Sequence, residues 1–206
     1  TGDSIYGEYN LNMRRAVLGL MLLGRAVFAD VDRVDPSIGL TDLSGKLQHP
    51  FRNSAKASLV FFITNDCPIS NAYAREIRRI CEAYEGRVSC ALDYTDPTLK
   101  IEEARKHFAE FGHGAYPAFV DTKHTLVKAA GAEITPEALL VRPDGKIAYR
   151  GRIDDKNVAL GVARPKATRA DLIAAIDAVL AGKPVEVART QAVGCFITPL
   201  EFFQRR

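Results

Sequence analysis

The sequence predicts an α/β fold, with a central mixed sheet flanked by helices, an N-terminal hairpin and a C-terminal tail. Two strand-then-helix units follow each other and imply a right-handed parallel crossover. A later pair of strands, joined by the turn sequence Pro143-Asp144-Gly145, predicts an antiparallel hairpin. A helix with one apolar face follows this hairpin and completes the order of elements.

The composition fits one globular domain with extensions. The chain has 206 residues, of which 47% are hydrophobic and 26% are charged, as is ordinary for a folded domain. A formal net charge of +3 favours solubility and gives no reason to expect a nucleic-acid-binding surface. The sequence contains no glycine-rich phosphate loop after a strand and no basic run with interleaved aromatic residues.

The first 29 residues predict an extension that precedes the folded domain. Residues 1–12 are polar and without pattern, which favours a disordered start. Met13-Arg14-Arg15, the apolar segment 16–24 and the small-residue ending at Ala29 are typical of a secretory signal peptide. An amphipathic N-terminal helix is the alternative interpretation.

The predicted organisation is therefore a start and signal peptide over 1–29, a folded domain over 30–184 and a tail over 185–206. A signal peptide predicts a periplasmic or secreted protein that has no stable membrane span once the signal is removed. Disulfides can persist in such a compartment, so the four cysteines of the chain gain importance.

The first strand–helix unit has the clearest pattern in the chain. Leu59 to Ile63 form an apolar run rich in β-branched and aromatic residues, which is typical of a fully buried strand. Asp66 is a favourable N-cap, and Pro68 suits the first turn of a helix, where its missing N–H costs nothing. Apolar residues at helical spacing continue to Tyr84 and complete the predicted helix.

The other elements follow from shorter patterns. In chain order, the predictions are a hairpin within 34–48, a strand Val88–Tyr94, a helix capped by Asp96-Pro97 and stopped at Gly112, an apolar stretch over 116–120, a brief helix within 122–130, a strand over 133–141 introduced by Thr135-Pro136, its return strand over 146–153, and a last helix opened by a capping box over 168–171.

Cys67 is the first candidate for chemistry, because the pattern places it at the start of a helix. Unpaired backbone N–H groups and the positive end of the helix dipole favour the thiolate over the thiol at such a position. The thiolate is the reactive form, so Cys67-Pro68-Ile69-Ser70 predicts a nucleophilic sulfur. The alternative is that Cys67 is a buried apolar residue, as most free cysteines are.

A strand that delivers Cys-Pro to a helix N-terminus, together with the order of elements, resembles the thioredoxin-like superfamily. Within it, the chain resembles the redoxin-domain proteins of the alkyl hydroperoxide reductase and thiol-specific antioxidant group, over roughly 35–197. The motifs that carry the resemblance are Asp66-Cys67-Pro68, Thr135-Pro136-Glu137, Pro143-Asp144-Gly145 and Tyr149-Arg150-Gly151-Arg152-Ile153-Asp154-Asp155. The resemblance implies a thioredoxin-like fold in which Pro136 is a cis proline that lies against the active-site sulfur and helps to shape a substrate groove.

The sequence matches the pattern of peroxide-reducing members of this group only in part. Peroxidatic members of the group carry Pro-x-x-x-Thr-x-x-Cys and a later arginine. Thr64 and Cys67 match this pattern, but Val60 stands in the place of the proline. Arg150 is the candidate cation, although the aligned place falls on Ala148, two residues earlier in the strand.

The other three cysteines differ in their surroundings. Cys81 is on the apolar face of the predicted first helix and Cys90 is inside the second strand, so both are interpreted as core residues, with a bridge between them as an alternative. Cys195 lies in the tail, where no apolar pattern requires it, and Gly194 before it permits an unusual backbone angle and a close approach. We expect Cys195 to be the partner of Cys67, as a resolving thiol or in a protective disulfide; an unpaired or intermolecular cysteine is the alternative.

Three functions follow as hypotheses. The first is an extracytoplasmic thiol–disulfide oxidoreductase acting on protein or small-molecule thiols and disulfides. The second is a thiol peroxidase, an antioxidant enzyme in which Thr64 and Arg150 orient the peroxide. The third is a non-enzymatic redoxin or a metal-binding module such as a copper carrier. Carriers of that kind use Cys-x-x-x-Cys, but here Asn71 takes the second position and no histidine has clear ligand spacing, so neither a metal nor another cofactor is predicted.

Overall fold

The computed structural model describes residues 32–203. The predicted signal peptide, and the alternative helix at the same place, lie outside the described residues. The helices are α1 (Pro68–Ala83), α2 (Ile101–Glu110), α3 (Thr125–Ala130), α4 (Asp171–Leu180) and α5 (Leu200–Phe203). The strands are β1 (Leu40–Asp42), β2 (Leu47–Gln48), β3 (Ala57–Ile63), β4 (Val88–Tyr94), β5 (Ala118–Val120), β6 (Ile134–Thr135), β7 (Glu137–Val141), β8 (Ile147–Gly151), β9 (Asn157–Ala159), β10 (Val162–Ala163) and β11 (Cys195–Phe196).

A seven-stranded mixed sheet forms the centre of the domain, in the order β2-β1-β5-β4-β3-β7-β8. The strands β3, β4 and β5 run parallel, because helices α1 and α2 return the chain to the same edge between them. The hairpins β1–β2 and β7–β8 pair antiparallel and extend the sheet on its two sides. The predicted central mixed sheet with an N-terminal hairpin is confirmed.

Helices cover both faces of the sheet, so every residue of β3 is buried. On one face, Phe61 belongs to an apolar cluster that includes Ile77 of α1 and Ile176 of α4. On the other face, Phe62 belongs to a cluster that includes Leu126 of α3. Since each large apolar side chain contributes about 1.5–3 kcal/mol on burial, these clusters hold the carboxyl end of β3 in place.

Two helix starts differ from the sequence prediction. Cys67, and not Asp66, is the N-cap of α1, with extended backbone angles and Pro68 as the first helical residue. The second helix begins only at Ile101. Asp96 instead accepts a 2.8 Å hydrogen bond from the N–H of Thr98 in a turn before the helix. Its carboxylate therefore stabilises that turn and does not cap α2.

The predicted capping box before the last helix is wrong. Ala170 is the N-cap of α4 and makes no side-chain cap. The hydroxyl of Thr168 is not available, because it donates to the carboxylate of Asp155, which also accepts the N–H groups of Thr168 and Arg169. The loop that follows β8 therefore fixes the start of α4.

A disulfide joins Cys81 of α1 to Cys90 of β4. Their Cα atoms are 5.8 Å apart, which is an ordinary separation for a disulfide. The sequence favoured two separate core residues and kept a bridge as the alternative, and the structure has the bridge. It crosslinks the helix that begins at Cys67 to the neighbouring strand of the sheet.

Removing this crosslink is expected to lower the free energy of unfolding by about 2–3 kcal/mol, because the bridge closes a loop of roughly ten residues in the unfolded chain. The measurement is urea denaturation of the Cys81→Ala/Cys90→Ala variant beside the unmodified protein. As a control, dithiothreitol should destabilise the unmodified protein but not the variant, which separates the crosslink from lost packing. Equal stability of the oxidised and reduced unmodified protein would contradict the prediction.

Candidate functional site

The site is centred on Cys67, at the junction of β3 and α1. The buried strand β3 ends at Ile63, and the chain turns through Thr64, Asn65 and Asp66 before the helix begins. Only 1% of Cys67 is exposed. Its sulfur accepts the N–H of Ser70 at 3.4 Å, which satisfies one of the free donors at the start of α1.

Hydrogen-bond donors around the Cys67 sulfur lower the pKa of its thiol. Burial is the largest influence and would raise that pKa, but the polar groups of Cys195 and Ser70, among them the Ser70 N–H that donates to the sulfur, outweigh it. The start of a 16-residue helix acts in the same direction, because the positive end of the helix dipole stabilises an anion. The reactive thiolate is therefore more populated at Cys67 than at an ordinary cysteine at the same pH.

The segment Thr135-Pro136 forms the wall opposite the helix start. The peptide bond between these residues is cis, as the family resemblance implies. The Cys67 thiol donates to the carbonyl oxygen of Thr135 at 3.3 Å, and the hydroxyls of Thr135 and Thr64 are hydrogen-bonded at 3.3 Å. Because Pro136 interrupts the strand, it separates β6 from β7, so the edge of β6 is available for other backbone partners.

Cys195 is brought to this wall by the tail. Strand β11 pairs antiparallel with β6, with Cys195 opposite Thr135 and Phe196 opposite Ile134. Burial, the hydrogen bond to the Cys67 sulfur and the nearby charge of Cys67 raise the pKa of the Cys195 thiol to about 12. The pKa values of the two thiols therefore shift in opposite directions, which favours the thiolate at Cys67 and the protonated thiol at Cys195.

Gly194 lets the tail come this close. A Cβ at this position would lie 1.9 Å from the carbonyl oxygen of Thr135 and 3.2 Å from the ring of Pro136. The first separation is far below any real contact, so no other residue fits there without a movement of the tail. The close approach expected from the sequence at Gly194 is present, and a positive φ is not the reason for it.

The acidity of Cys67 should depend on the side chain at position 195. With Cys195→Ala, the donor thiol is lost while burial remains, so the pKa of the Cys67 thiol is expected to rise. With Cys195→Ser, a hydroxyl still donates, and the rise should be smaller. Ultraviolet absorbance of the thiolate across a pH titration measures this, with Cys67→Ala as the blank. Identical titration curves for the alanine and serine variants would contradict the prediction.

The guanidinium group of Arg150 binds groups other than the Cys67 sulfur. It donates to the carbonyl oxygen of Ala130 and lies 3.6 Å from a carboxylate oxygen of Glu137. Burial raises the pKa of Glu137 to about 7 despite the attraction of this arginine. Within residues 32–203, Arg150 makes no hydrogen bond or ion pair with Thr64 or Cys67, so its role in orienting a peroxide stays a prediction.

A buried hydrogen-bond chain supports the loop that carries Cys67, and the sequence did not predict it. The hydroxyl of Tyr94 is 2.8 Å from Nδ1 of His107, whose Nε2 is 2.9 Å from the side-chain oxygen of Asn71. Asn71 then donates to the carbonyl oxygen of Asn65 at 3.0 Å. Burial lowers the pKa of His107, which keeps its imidazole neutral. Three residues that are distant in sequence meet here, and no local pattern signals that.

Ser70 is the second residue whose contribution was missed. No role was predicted for Ser70, whereas its side chain and its N–H both lower the pKa of the Cys67 thiol. A signal was present, because the third helical residue after an N-cap donates its N–H back to the capping atom.

Two kinds of site are not found within residues 32–203. This part of the chain has no group of three or more His, Cys, Asp or Glu side chains that could hold a metal ion. None of its helices has the length and apolar character needed to cross a membrane.

Comparison with known proteins gives similarity at the level of structure. No protein-family model matches the chain, and no curated protein matches it. A hypothetical protein of Sinorhizobium meliloti is 28% identical, with 81% of this chain and 93% of that chain covered and a TM-score of 0.67. An uncharacterized conserved protein of Geobacillus kaustophilus is 26% identical, with 81% and 92% covered and a TM-score of 0.69.

A secreted disulfide oxidoreductase of Mycobacterium tuberculosis has the same fold. It is 17% identical, with 68% of this chain and 95% of that chain covered, and its TM-score is 0.51. At this identity the likeness concerns the fold alone.

Proposed function

We propose that this chain, which has the thioredoxin-like fold that its sequence predicts, is a thiol–disulfide oxidoreductase. In this proposal, Cys67 is the nucleophile and Cys195 is the resolving thiol. The observation that carries the proposal is that Thr135 brings the two cysteines together: the Cys67 thiol donates to its carbonyl oxygen, and Cys195 is its partner in the β11–β6 pairing. The pKa of the Cys67 thiol is lowered and that of the Cys195 thiol is raised.

The first step is attack on a substrate disulfide. The Cys67 thiolate forms a bond to one substrate sulfur, the substrate S–S bond breaks, and the other substrate sulfur leaves as a thiolate that takes up a proton. The donors that hold the Cys67 anion favour its formation, and Thr64 and Pro136 shape the wall beside it. This step uses no oxidant other than the substrate disulfide itself.

The second step releases the substrate. The Cys195 thiol loses its proton and attacks the Cys67 sulfur, the bond between Cys67 and the substrate sulfur breaks, and a Cys67–Cys195 disulfide forms. The second substrate sulfur leaves as a thiolate and takes up a proton in place of the one that Cys195 lost. Burial is the largest cause of the high pKa at Cys195, and the charge of Cys67 adds to it. Once Cys67 is in the mixed disulfide, it carries no negative charge, so that second cause disappears. A partner dithiol then reduces the Cys67–Cys195 disulfide. The same steps in reverse oxidise a substrate dithiol.

We propose an extracytoplasmic location for this activity. The support is the disulfide between Cys81 and Cys90, since structural disulfides are rare in a reducing cytosol. Like the signal peptide, the periplasmic or secreted location remains a prediction. The thiol peroxidase hypothesis also remains a prediction.

Disulfide mapping tests the proposed cysteine pair. The full-length protein is oxidised with a low-molecular-weight disulfide, alkylated, digested without reduction and analysed by mass spectrometry. We expect a peptide pair linking Cys67 to Cys195 beside the pair linking Cys81 to Cys90. After mild reduction, only the second link should remain. A link from Cys67 to Cys81 or Cys90, or no link at Cys67, would refute the assignment of the resolving thiol.

A further inference from the structure

The tail segment, defined as residues 191–203, covers the site. It follows an anchor in which Ala188 accepts the N–H of Arg150 at 3.0 Å and Thr190 donates its N–H to the carbonyl of Arg150 at 3.2 Å. The hydroxyl of Thr190 also contacts that of Tyr149 at 2.6 Å. The anchor thus fixes the tail to the edge of β8, and the chain then runs from there to β6.

The far end of the tail uses the backbone edge beside the cis proline. Besides the β11–β6 pairing, the N–H of Ile197 donates to the carbonyl of Glu133 at 2.8 Å. With the tail segment in this position, Cys67 is 1% exposed. A protein substrate therefore cannot reach the Cys67 sulfur while the tail segment is paired with β6.

The tail pairing is short, so few backbone hydrogen bonds hold the tail segment to β6. Strand β11 has two residues, and 76% of Phe196 is exposed. Short, weakly buried strands are among the first parts of a fold to open. The anchor at residues 188–190 is held to β8 by its own hydrogen bonds, so the tail segment would stay tethered near the site after it leaves β6.

We propose that the tail segment is an internal competitor of the substrate, occupying the edge of β6 that an extended substrate segment must take. This inference rests on the proposed function and adds a regulation and a substrate class to it. The substrate segment pairs with β6 as β11 does, with its own cysteine opposite Thr135. The residue before that cysteine then meets the Thr135 carbonyl where Gly194 does, so the substrate class is a segment with Gly-Cys.

Tethering makes the competition effective and keeps the resolving thiol close. A tethered segment competes at a high effective concentration, which is lost only when the tether or the pairing is changed. After the substrate has displaced the tail segment, Cys195 is still held by the anchor and can return to attack the mixed disulfide. One tail segment would therefore both limit access to Cys67 and complete the exchange.

The test measures peptide binding in a full-length protein that cannot react. All proteins carry Cys67→Ser, and the probe is a synthetic peptide with the sequence of residues 191–199 in which serine replaces the cysteine. Two variants open the tail by independent means. Gly194→Ala places a Cβ against the Thr135 carbonyl, and Ile197→Pro removes the N–H that bonds to Glu133. Gly114→Ala is the control, because its Cβ would meet only side chains.

We expect both opened variants to bind the peptide at least about tenfold more tightly than the parent and the Gly114→Ala control, by isothermal titration calorimetry. A peptide with alanine in place of its glycine should bind the opened variants at least about tenfold more weakly. The proposed competition would be overturned if the opened variants and the parent protein bound the peptide with equal affinity. It would also be overturned if neither opened variant bound the peptide while circular dichroism showed both to be folded. Equal affinity for the glycine and alanine peptides would overturn the Gly-Cys requirement.

This design separates the inference from the proposed function. Binding is measured without the Cys67 sulfur, so it does not depend on disulfide exchange. If the unmodified protein fails to exchange disulfides, the proposed function fails whatever the peptide result is. If exchange occurs but opening the tail leaves the peptide affinity unchanged, the function stands and the internal competition is refuted.

Discussion

Replacing Cys67 with serine is expected to slow disulfide exchange at least about 1000-fold. A serine hydroxyl does not ionise near neutral pH, so the helix start and the donors of Ser70 have no anion to stabilise. The two side chains are similar in size, so the fold should be kept. The measurement is the initial rate at which a small disulfide-bonded protein is reduced in the presence of a dithiol.

The matched control is the Cys81→Ala/Cys90→Ala variant. It removes the other two sulfurs of the described domain and leaves Cys67 and Cys195 unchanged, so its exchange rate should remain close to that of the unmodified protein. If the double variant loses the activity and Cys67→Ser keeps it, the nucleophile has been assigned to the wrong cysteine.

The centre of the fold could be predicted because its signals are local. The apolar run that ends at Ile63 has the length of a buried strand, and the residues after Pro68 repeat at helical spacing. Pro143-Asp144-Gly145 specifies a turn in the same way, and Gly145 has the positive φ of 84° that such a turn needs. Each of these patterns is complete within a short window, so no tertiary contact was required to interpret it.

The helix caps could not be predicted with the same success, because a cap depends on competing partners. Asp96 and Thr168 are both good capping residues by type. Asp96 instead binds the N–H of Thr98, and Thr168 binds Asp155 from a different loop. At Cys67 the competition has a functional consequence, because the sulfur itself takes the N-cap position that Asp66 was expected to hold.

The site shows the same division between local and distant signals. The position of Cys67 at a helix start was clear from sequence, whereas the chain from Tyr94 through His107 to Asn71 joins three separate elements. The pairing of β11 with β6 is similarly invisible, since a two-residue strand has no periodicity to detect. What could be inferred was that Cys195 lacks a packing role and that Gly194 permits a close approach. The structure places Gly194 against Thr135 and Pro136.

Replacing Cys195 with serine is expected to stop the reaction after its first step and to accumulate a mixed disulfide. The serine hydroxyl keeps a hydrogen-bond donor beside Cys67, so the nucleophile should remain acidic and attack the substrate. It cannot resolve the product, because it has no sulfur to form the Cys67–Cys195 bond. Intact mass spectrometry without reduction should show an adduct with the mass of one substrate chain, approaching one per protein, and the unmodified protein should show almost none.

Two further variants make this result specific. The Cys67→Ser/Cys195→Ser protein should form no adduct, which places the bond on Cys67. The Cys195→Ala protein should form the adduct more slowly than Cys195→Ser, because burial then acts on the pKa of Cys67 without the donor at position 195 to oppose it. If Cys195→Ser turns over at the unmodified rate without an adduct, an external thiol resolves the intermediate directly. Cys195 would then only lower the pKa of the Cys67 thiol and cover its sulfur, and the two-cysteine mechanism would be wrong.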